Sequence, residues 1–321
     1  MIKTNIKGGF FNFMKKKFKA LTFLGISILI FTLIFSGCGG GEAGKGGGGK
    51  SESMVEIQGS DTMVNLNQNW AEKYMDKNPE KYISVTGGGS GTGISALIND
   101  DVDIAGSSRA MKEEEIEDAR ENDVEVYEFL VAQDGLAVGV HEENPVSELT
   151  FNELKNIFTG EVESWSELGL DKDGEIQVYS RQSNSGTYVY FNENVMDGED
   201  WAGGTQFMSG SAAINEALQN DKSGIGYYGV GYVDGVKALD VAYDEDLDYY
   251  TPLDEENINT GNYPIARPLY FYTNGVPEGQ VKDFLEFVLS DQGQELVLET
   301  GFYQMTPEMH EFNEELFEEI Y

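Results

Sequence analysis

Tyr179-Ser-Arg-Gln-Ser-Asn-Ser-Gly-Thr-Tyr188 follows Ile176-Gln-Val and reads as a strand end, a polar loop and a helix beginning at Tyr188. Arg181 stands at the start of that loop and Ser185-Gly186-Thr187 where the helix opens. Free N–H groups at a helix N-terminus, two hydroxyls and a guanidinium together suit an oxyanion. The same residues also fit an ordinary Ser/Thr helix cap beside a solvated arginine. Arginine is scarce here, with only four in 321 residues (Arg109, Arg120, Arg181 and Arg267).

Three upstream stretches repeat the pattern. Val55-Glu-Ile-Gln58 runs into Gly59-Ser-Asp-Thr-Met63 and then a helix to Lys77, with apolar spacing at Met63, Leu66, Trp70 and Tyr74. Ile83-Ser-Val-Thr86 empties into Gly87-Gly-Gly-Ser-Gly-Thr-Gly93, before a short helix expected from Ile94. Asp103-Ile-Ala105 ends in Gly106-Ser-Ser-Arg109, ahead of an acidic helix. Alternating strands and helices of this kind predict an α/β fold with mainly parallel sheet, in which ligands sit beyond the carboxyl ends of the strands. A single Gly/Ser loop is a common turn, whereas four in series are a specific signal.

Further along, Tyr127–Ala132 and Gly135–Val140 read as two strand runs crossing toward a second unit. Thr150, Glu153 and Gly160 bracket a capped helix. Pro264–Thr273 reads as the returning strand, Gln280–Glu299 as one amphipathic helix, and Glu308–Tyr321 as a short surface helix.

Composition narrows the function. Against 57 acidic residues stand 21 basic ones, a formal charge of −36. This balance argues against nucleic acid and against a basic membrane-binding patch. It fits an extracytoplasmic protein of a saline or alkaline habitat. One cysteine and two histidines exclude a disulfide framework and leave little for a metal site or a histidine triad. Around Ser90 no nucleophile elbow forms, because Thr92 stands where its second glycine belongs.

The start of the chain reads as a leader. Six lysines precede the apolar run Ala20–Phe35, which at 16 residues is short of a spanning helix of roughly 20. Phe35-Ser-Gly-Cys38 resembles a bacterial lipobox, which implies a signal peptide over 1–37, cleavage before Cys38 and acylation of Cys38. Loss of the six lysines takes the charge from −36 to −42. Residues 38–53 read as a Gly-rich tether. Gly44–Ser51 inside it matches the P-loop pattern, but no buried strand precedes it, so it is rejected as a nucleotide site.

Several stretches resemble the phosphate-binding proteins of bacterial phosphate ABC transporters. They are Gly59–Met63, Gly89–Gly93, Ile104–Arg109, Ile157–Leu168, Arg181–Thr187, Gly224–Tyr232 and Arg267–Phe271, in the family's order. The resemblance implies a two-lobed periplasmic-binding-protein-like fold with the ligand in the interlobe cleft. On the crossings read above, residues 54–131 plus 266–321 would form one lobe and 132–265 the other. It further implies binding of inorganic phosphate and delivery to permease subunits. The lipobox adds a lipid anchor at the outer face of the cell membrane, and monomer is the default state. The lack of a metal cluster, an activated nucleophile and a credible P-loop argues against catalysis, with no cofactor expected. Residue by residue the resemblance points to Asp61, Thr62, Ser90, Thr92 and Ser108 on one side, and to Arg181, Ser185, Gly186 and Thr187 on the other. This chain departs from the family in two places. Ser107-Ser108-Arg109 lacks the Asp that accepts the proton of phosphate, and Ser183 replaces an acid. Asp61 is the residue expected to supply the missing acceptor. Another oxyanion (sulfate, molybdate or tungstate) and, further off, a phosphatase-type enzyme are the alternatives.

Overall fold

In the computed structural model, residues 54–170 and 174–321 are described, so the leader, Cys38, the tether and the P-loop-like Gly44–Ser51 all lie outside them. The strands are β1 (Met54–Gly59), β2 (Tyr82–Thr86), β3 (Ile104–Ser107), β4 (Val126–Val140), β5 (Glu148–Thr150), β6 (Gln177–Arg181), β7 (Gln206–Met208), β8 (Gly224–Gly229), β9 (Lys237–Ala238), β10 (Asp240–Ala242) and β11 (Ala266–Asn274). The α-helices are α1 (Val64–Lys77), α2 (Ser90–Ile98), α3 (Glu113–Glu121), α4 (Phe151–Thr159), α5 (Gly186–Asn194), α6 (Ser211–Asn220), α7 (Glu255–Asn259), α8 (Gly279–Leu289), α9 (Asp291–Glu299) and α10 (Pro307–Ile320).

One mixed sheet runs in the order β2-β1-β3-β11-β4-β8-β6-β7, with β9 also on β4 and a separate β10-β5 pair. Its two outer blocks, β2-β1-β3 and β8-β6-β7, are parallel inside. Antiparallel β11 and β4 join them at the centre. The alternating strands and helices of the sequence thus give the expected α/β fold with flanking helices.

Where the expected crossing lies, the structure merges two strand runs into one 15-residue strand. β4 pairs with β11 from Val126 to Gly135 and with β8 from Leu136 onward, so its ladder never lapses. The β11–β4 register slips once, between Leu269 and Tyr270. Near that slip Asn313 of α10 accepts from Leu130 N–H at 3.1 Å and donates to Leu130 O at 2.7 Å. The C-terminal helix therefore does more than coat the surface: Met309 and Leu316 are buried with Asn313 against the sheet.

Local signals account for most elements. In α1 the expected stripe is buried throughout, and Trp70 donates to Gly293 O at 2.7 Å. α4 carries the expected capping box: Thr150 Oγ1 accepts from Glu153 N–H at 3.2 Å, Glu153 Oε2 accepts from Thr150 N–H at 2.8 Å, and Gly160 closes the helix at φ +84°.

Three boundaries differ from expectation. α2 opens at Ser90 rather than Ile94, because Gly91-Thr-Gly93 is helical and a Cβ at Gly93 would collide with Gln58 O of β1. α5 opens at Gly186, capped by Ser185, rather than at Tyr188. The Gln280–Glu299 helix breaks at Ser290, whose Oγ caps α9 by accepting from Gly293 N–H at 3.3 Å. Among the described residues no helix is long and apolar enough to cross a membrane.

Candidate functional site

The carboxyl ends of β1, β3 and β6 meet the N-termini of α2, α5 and α6 in one buried cluster of hydroxyls. Ser60 Oγ donates to Ser108 Oγ at 2.9 Å, and Ser108 N–H donates to Ser90 Oγ at 3.1 Å. Thr62 Oγ1 and Thr187 Oγ1, from opposite blocks of the sheet, are hydrogen-bonded at 2.8 Å. Ser108 Oγ lies 3.4 Å from Thr187 Oγ1, and Ser211 Oγ lies 3.5 Å from Thr62 Oγ1. All of these side chains are buried. The approach between blocks depends on Gly186, where a Cβ would collide with Ser90 Oγ. The N-terminus of α5 therefore lies directly against the other half of the cluster.

Two arginines adjoin these hydroxyls, each beside an aspartate. Arg181 is fully buried. Its Nη1 donates to Ser211 Oγ at 3.3 Å, and its Nη2 donates to Asp61 Oδ2 at 3.1 Å and Ser209 O at 3.2 Å. Burial pushes the Arg181 pKa down, and the Asp61 carboxylate opposes that shift. Its Nε has no hydrogen-bond partner among the described residues. Arg267 donates from Nε and Nη2 to Asp134 Oδ2, at 3.1 and 2.8 Å, and from Nη2 to Thr187 Oγ1 at 2.9 Å. It also lies over the Tyr190 ring, 5.1 Å from the centroid. Asp134 Oδ1 accepts from Val230 N–H at 3.0 Å.

Because Arg267 donates to Thr187 Oγ1, the Thr187 proton is directed to some other acceptor. The cluster is thus rich in O–H and guanidinium donors, while each guanidinium charge is balanced by one carboxylate. Such a site can hold an oxyanion by converging hydrogen bonds rather than by excess positive charge.

Eight of the nine binding residues expected from sequence lie in or against this cluster. Thr62, Ser90, Ser108, Thr187 and Arg181 form it, and Gly186 lets the blocks meet. Ser185 Oγ accepts from Thr187 and Tyr188 N–H at 3.2 and 3.4 Å, so it caps α5 and keeps its own proton to donate. Asp61 does not cap α1, whose N-cap is Met63; its Oδ1 accepts from Gly88 N–H at 2.8 Å. The ninth, Thr92, stands at the rim. Its Oγ1 donates to Gly88 O at 2.6 Å and accepts from Asn184 Nδ2 at 3.3 Å. Of the Ser107-Ser108 pair only Ser108 joins the cluster, since Ser107 Oγ donates to Arg109 O at 2.7 Å. Arg109 is held by both oxygens of Glu115.

Sequence reasoning missed Ser60, Ser211, Arg267 and Asp134. Ser211 had a legible signal: it follows Met208-Ser-Gly210 as a further strand–loop–helix entry, on a strand of three residues. Asp134 had none, because only the β4–β11 register places it opposite Arg267.

Residues 42–292 match the family described as "PBP superfamily domain". The "Phosphate-binding protein PstS" of Staphylococcus aureus strain MRSA252 is 33% identical over 303 residues, covering 90% of this chain and 89% of the relative. Its Staphylococcus epidermidis counterpart (strain RP62A) is 30% identical over 282 residues, covering 84% and 85%. Among solved structures, a putative phosphate ABC transporter substrate-binding protein with bound phosphate from Clostridium perfringens is 31% identical. That structure superposes with a TM-score of 0.71 over 79% of this chain and 100% of the other. An ABC-type phosphate transport receptor from Vibrio cholerae gives 29% and 0.63, over 78% and 100%.

Proposed function

The chain belongs to the PBP superfamily domain family, and from that premise we propose that it binds inorganic phosphate outside the cytoplasm and delivers it to an ABC-type importer. The observation that carries this reading is the meeting of Thr62, Ser90 and Ser108 from one block with Thr187 and Arg181 from the other. The phosphate-bound Clostridium perfringens relative, 31% identical, supports assigning the cluster to that ligand.

Two lobes, 54–131 plus 266–321 and 132–265, would part to admit the anion and close to dehydrate it. Thr62 and Thr187 are in direct contact, so a tetrahedral anion between them would replace hydroxyl–hydroxyl bonds with hydroxyl–anion bonds. Thr62, Ser90, Ser108, Ser185 and Thr187 would donate O–H, Gly186 would donate N–H, and Arg181 would supply the countercharge. Thr92 would act from the rim. Binding then rests on differential contact, with no bond made or broken in the ligand.

Selectivity falls to Asp61. Phosphate near neutral pH keeps a proton that sulfate lacks, and a carboxylate facing the site accepts that proton but repels a bare oxyanion. Outside the described residues, acylation of Cys38 and the 38–53 tether would hold a monomer at the membrane beside its permease subunits. Calorimetric titration with phosphate, sulfate and molybdate tests the whole reading. Phosphate binding one per chain with the other two failing to compete is the expected result; sulfate or molybdate binding as well as phosphate would refute it.

A further inference from the structure

We propose that Asn184, which among the proposed phosphate ligands bonds only the rim residue Thr92, clasps the two sides of the cleft and sets how fast the ligand leaves. This inference rests on the phosphate-binding reading. From the loop after β6, Asn184 Nδ2 donates to Gly88 O at 2.7 Å and to Thr92 Oγ1 at 3.3 Å. In return its backbone carbonyl accepts from Gly91 N–H at 3.0 Å. One exposed residue thus makes three hydrogen bonds to the loop and helix start that follow β2.

Both ends of the clasp are braced. On one side Gly88 N–H is held by Asp61 Oδ1, Gly89 N–H donates to Gly59 O at 2.9 Å, and Thr92 Oγ1 bonds Gly88 O. On the other, Ser185 N–H donates to Gln182 O at 2.9 Å. The fit also constrains the backbone. Gly89 has φ +91°, and a Cβ there would come within 2.6 Å of Asn184 O, so a side chain at 89 would pry the loops apart. Thr92 gains a role from this arrangement as a strut for Gly88 and an acceptor for Asn184.

These bonds hold only while the two loops are together, and they are broken in the open cleft that the ligand enters. Their loss should therefore accelerate release and leave capture alone. They join uncharged groups, so salt should leave their contribution unchanged, unlike that of the Asp61–Arg181 ion pair.

The test is rapid-mixing kinetics with inorganic phosphate on Asn184→Ala and Asn184→Asp, at low and high salt. Loss of the amide should raise the release rate about fivefold, the effect of one modest hydrogen bond, with an unchanged association rate and melting temperature. Asn184→Asp, which sets a carboxylate against Gly88 O, should release faster still. Unchanged release, or an equal fall in association, would overturn the proposal. Hydrogen exchange at Gly91, whose N–H donates to Asn184 O, reads the clasp in the free protein. Faster exchange in Asn184→Ala is expected, and unchanged exchange would overturn the clasp. If wild type takes up no phosphate the functional reading fails, and the exchange measurement still decides the clasp.

Discussion

The two buried arginines of the site hold the same kind of partner in different settings. Arg267 and Asp134 are register partners on adjacent antiparallel strands, and their side chains are 2% and 0% exposed. Arg181, at the end of β6, reaches Asp61 in the loop after β1, where the carboxylate side chain is 23% exposed. The first pair is fixed by the sheet and cannot separate while β4 and β11 stay paired. The second joins segments that no ladder connects, so it can open. On the proposed reading, one arginine–aspartate contact would belong to the frame of the site and the other to its gate.

Breaking the frame should have the largest effect. Asp134→Ala leaves Arg267 buried without its counter-ion, and denaturant unfolding should show a loss of about 3–5 kcal/mol. A loss under about 1 kcal/mol would mean that the pair is dispensable to the frame. Arg181→Ala comes next. Removing the gate's guanidinium should weaken phosphate at least about 100-fold by calorimetry, as expected for lost charge-assisted hydrogen bonds.

Asp61→Asn is milder for the fold, because the carboxylate is partly solvated and the amide oxygen can still accept from the buried Arg181; about 1–3 kcal/mol is expected in unfolding. Its main effect should be on selectivity: sulfate, which wild type should exclude, should compete with phosphate in the variant. Equal exclusion of sulfate by both would remove Asp61 as the proton acceptor. The smallest effect concerns the body's charge, −36 over the whole chain and −42 if the six lysines of the expected leader are lost. Long-range repulsion of phosphate fades as the Debye length shrinks from about 10 Å at 0.1 M to about 3 Å at 1 M salt. Association should accordingly speed up a few-fold with salt, and slower association would contradict a site that works by short-range bonds.

The same contrast explains what could be read from the sequence. The gate lies in loops with local signatures: a strand, then Gly, Ser or Thr, then a helix. The loops that carry Thr62, Ser90, Ser108 and Arg181 through Thr187 were legible that way, and the family resemblance pointed to the residues within them. The frame is non-local. Asp134 sits in an apolar strand run, and nothing within that run says which residue of β11 will face it. Boundaries failed where packing overrode local appearance. Gly91-Thr-Gly93 looks like loop, yet Gly93 is helical because α2 lies against the β1 backbone. Ser290 looks like one more polar position of a long helix, yet its hydroxyl starts a new one.

The most direct test of the gate is a phosphate titration of wild type and Arg181→Ala side by side, with circular dichroism confirming that both are folded. A single tight site in wild type that is lost in a folded Arg181→Ala is the expected result. Equal phosphate affinity in the two proteins would contradict the assignment of this cluster as the binding site.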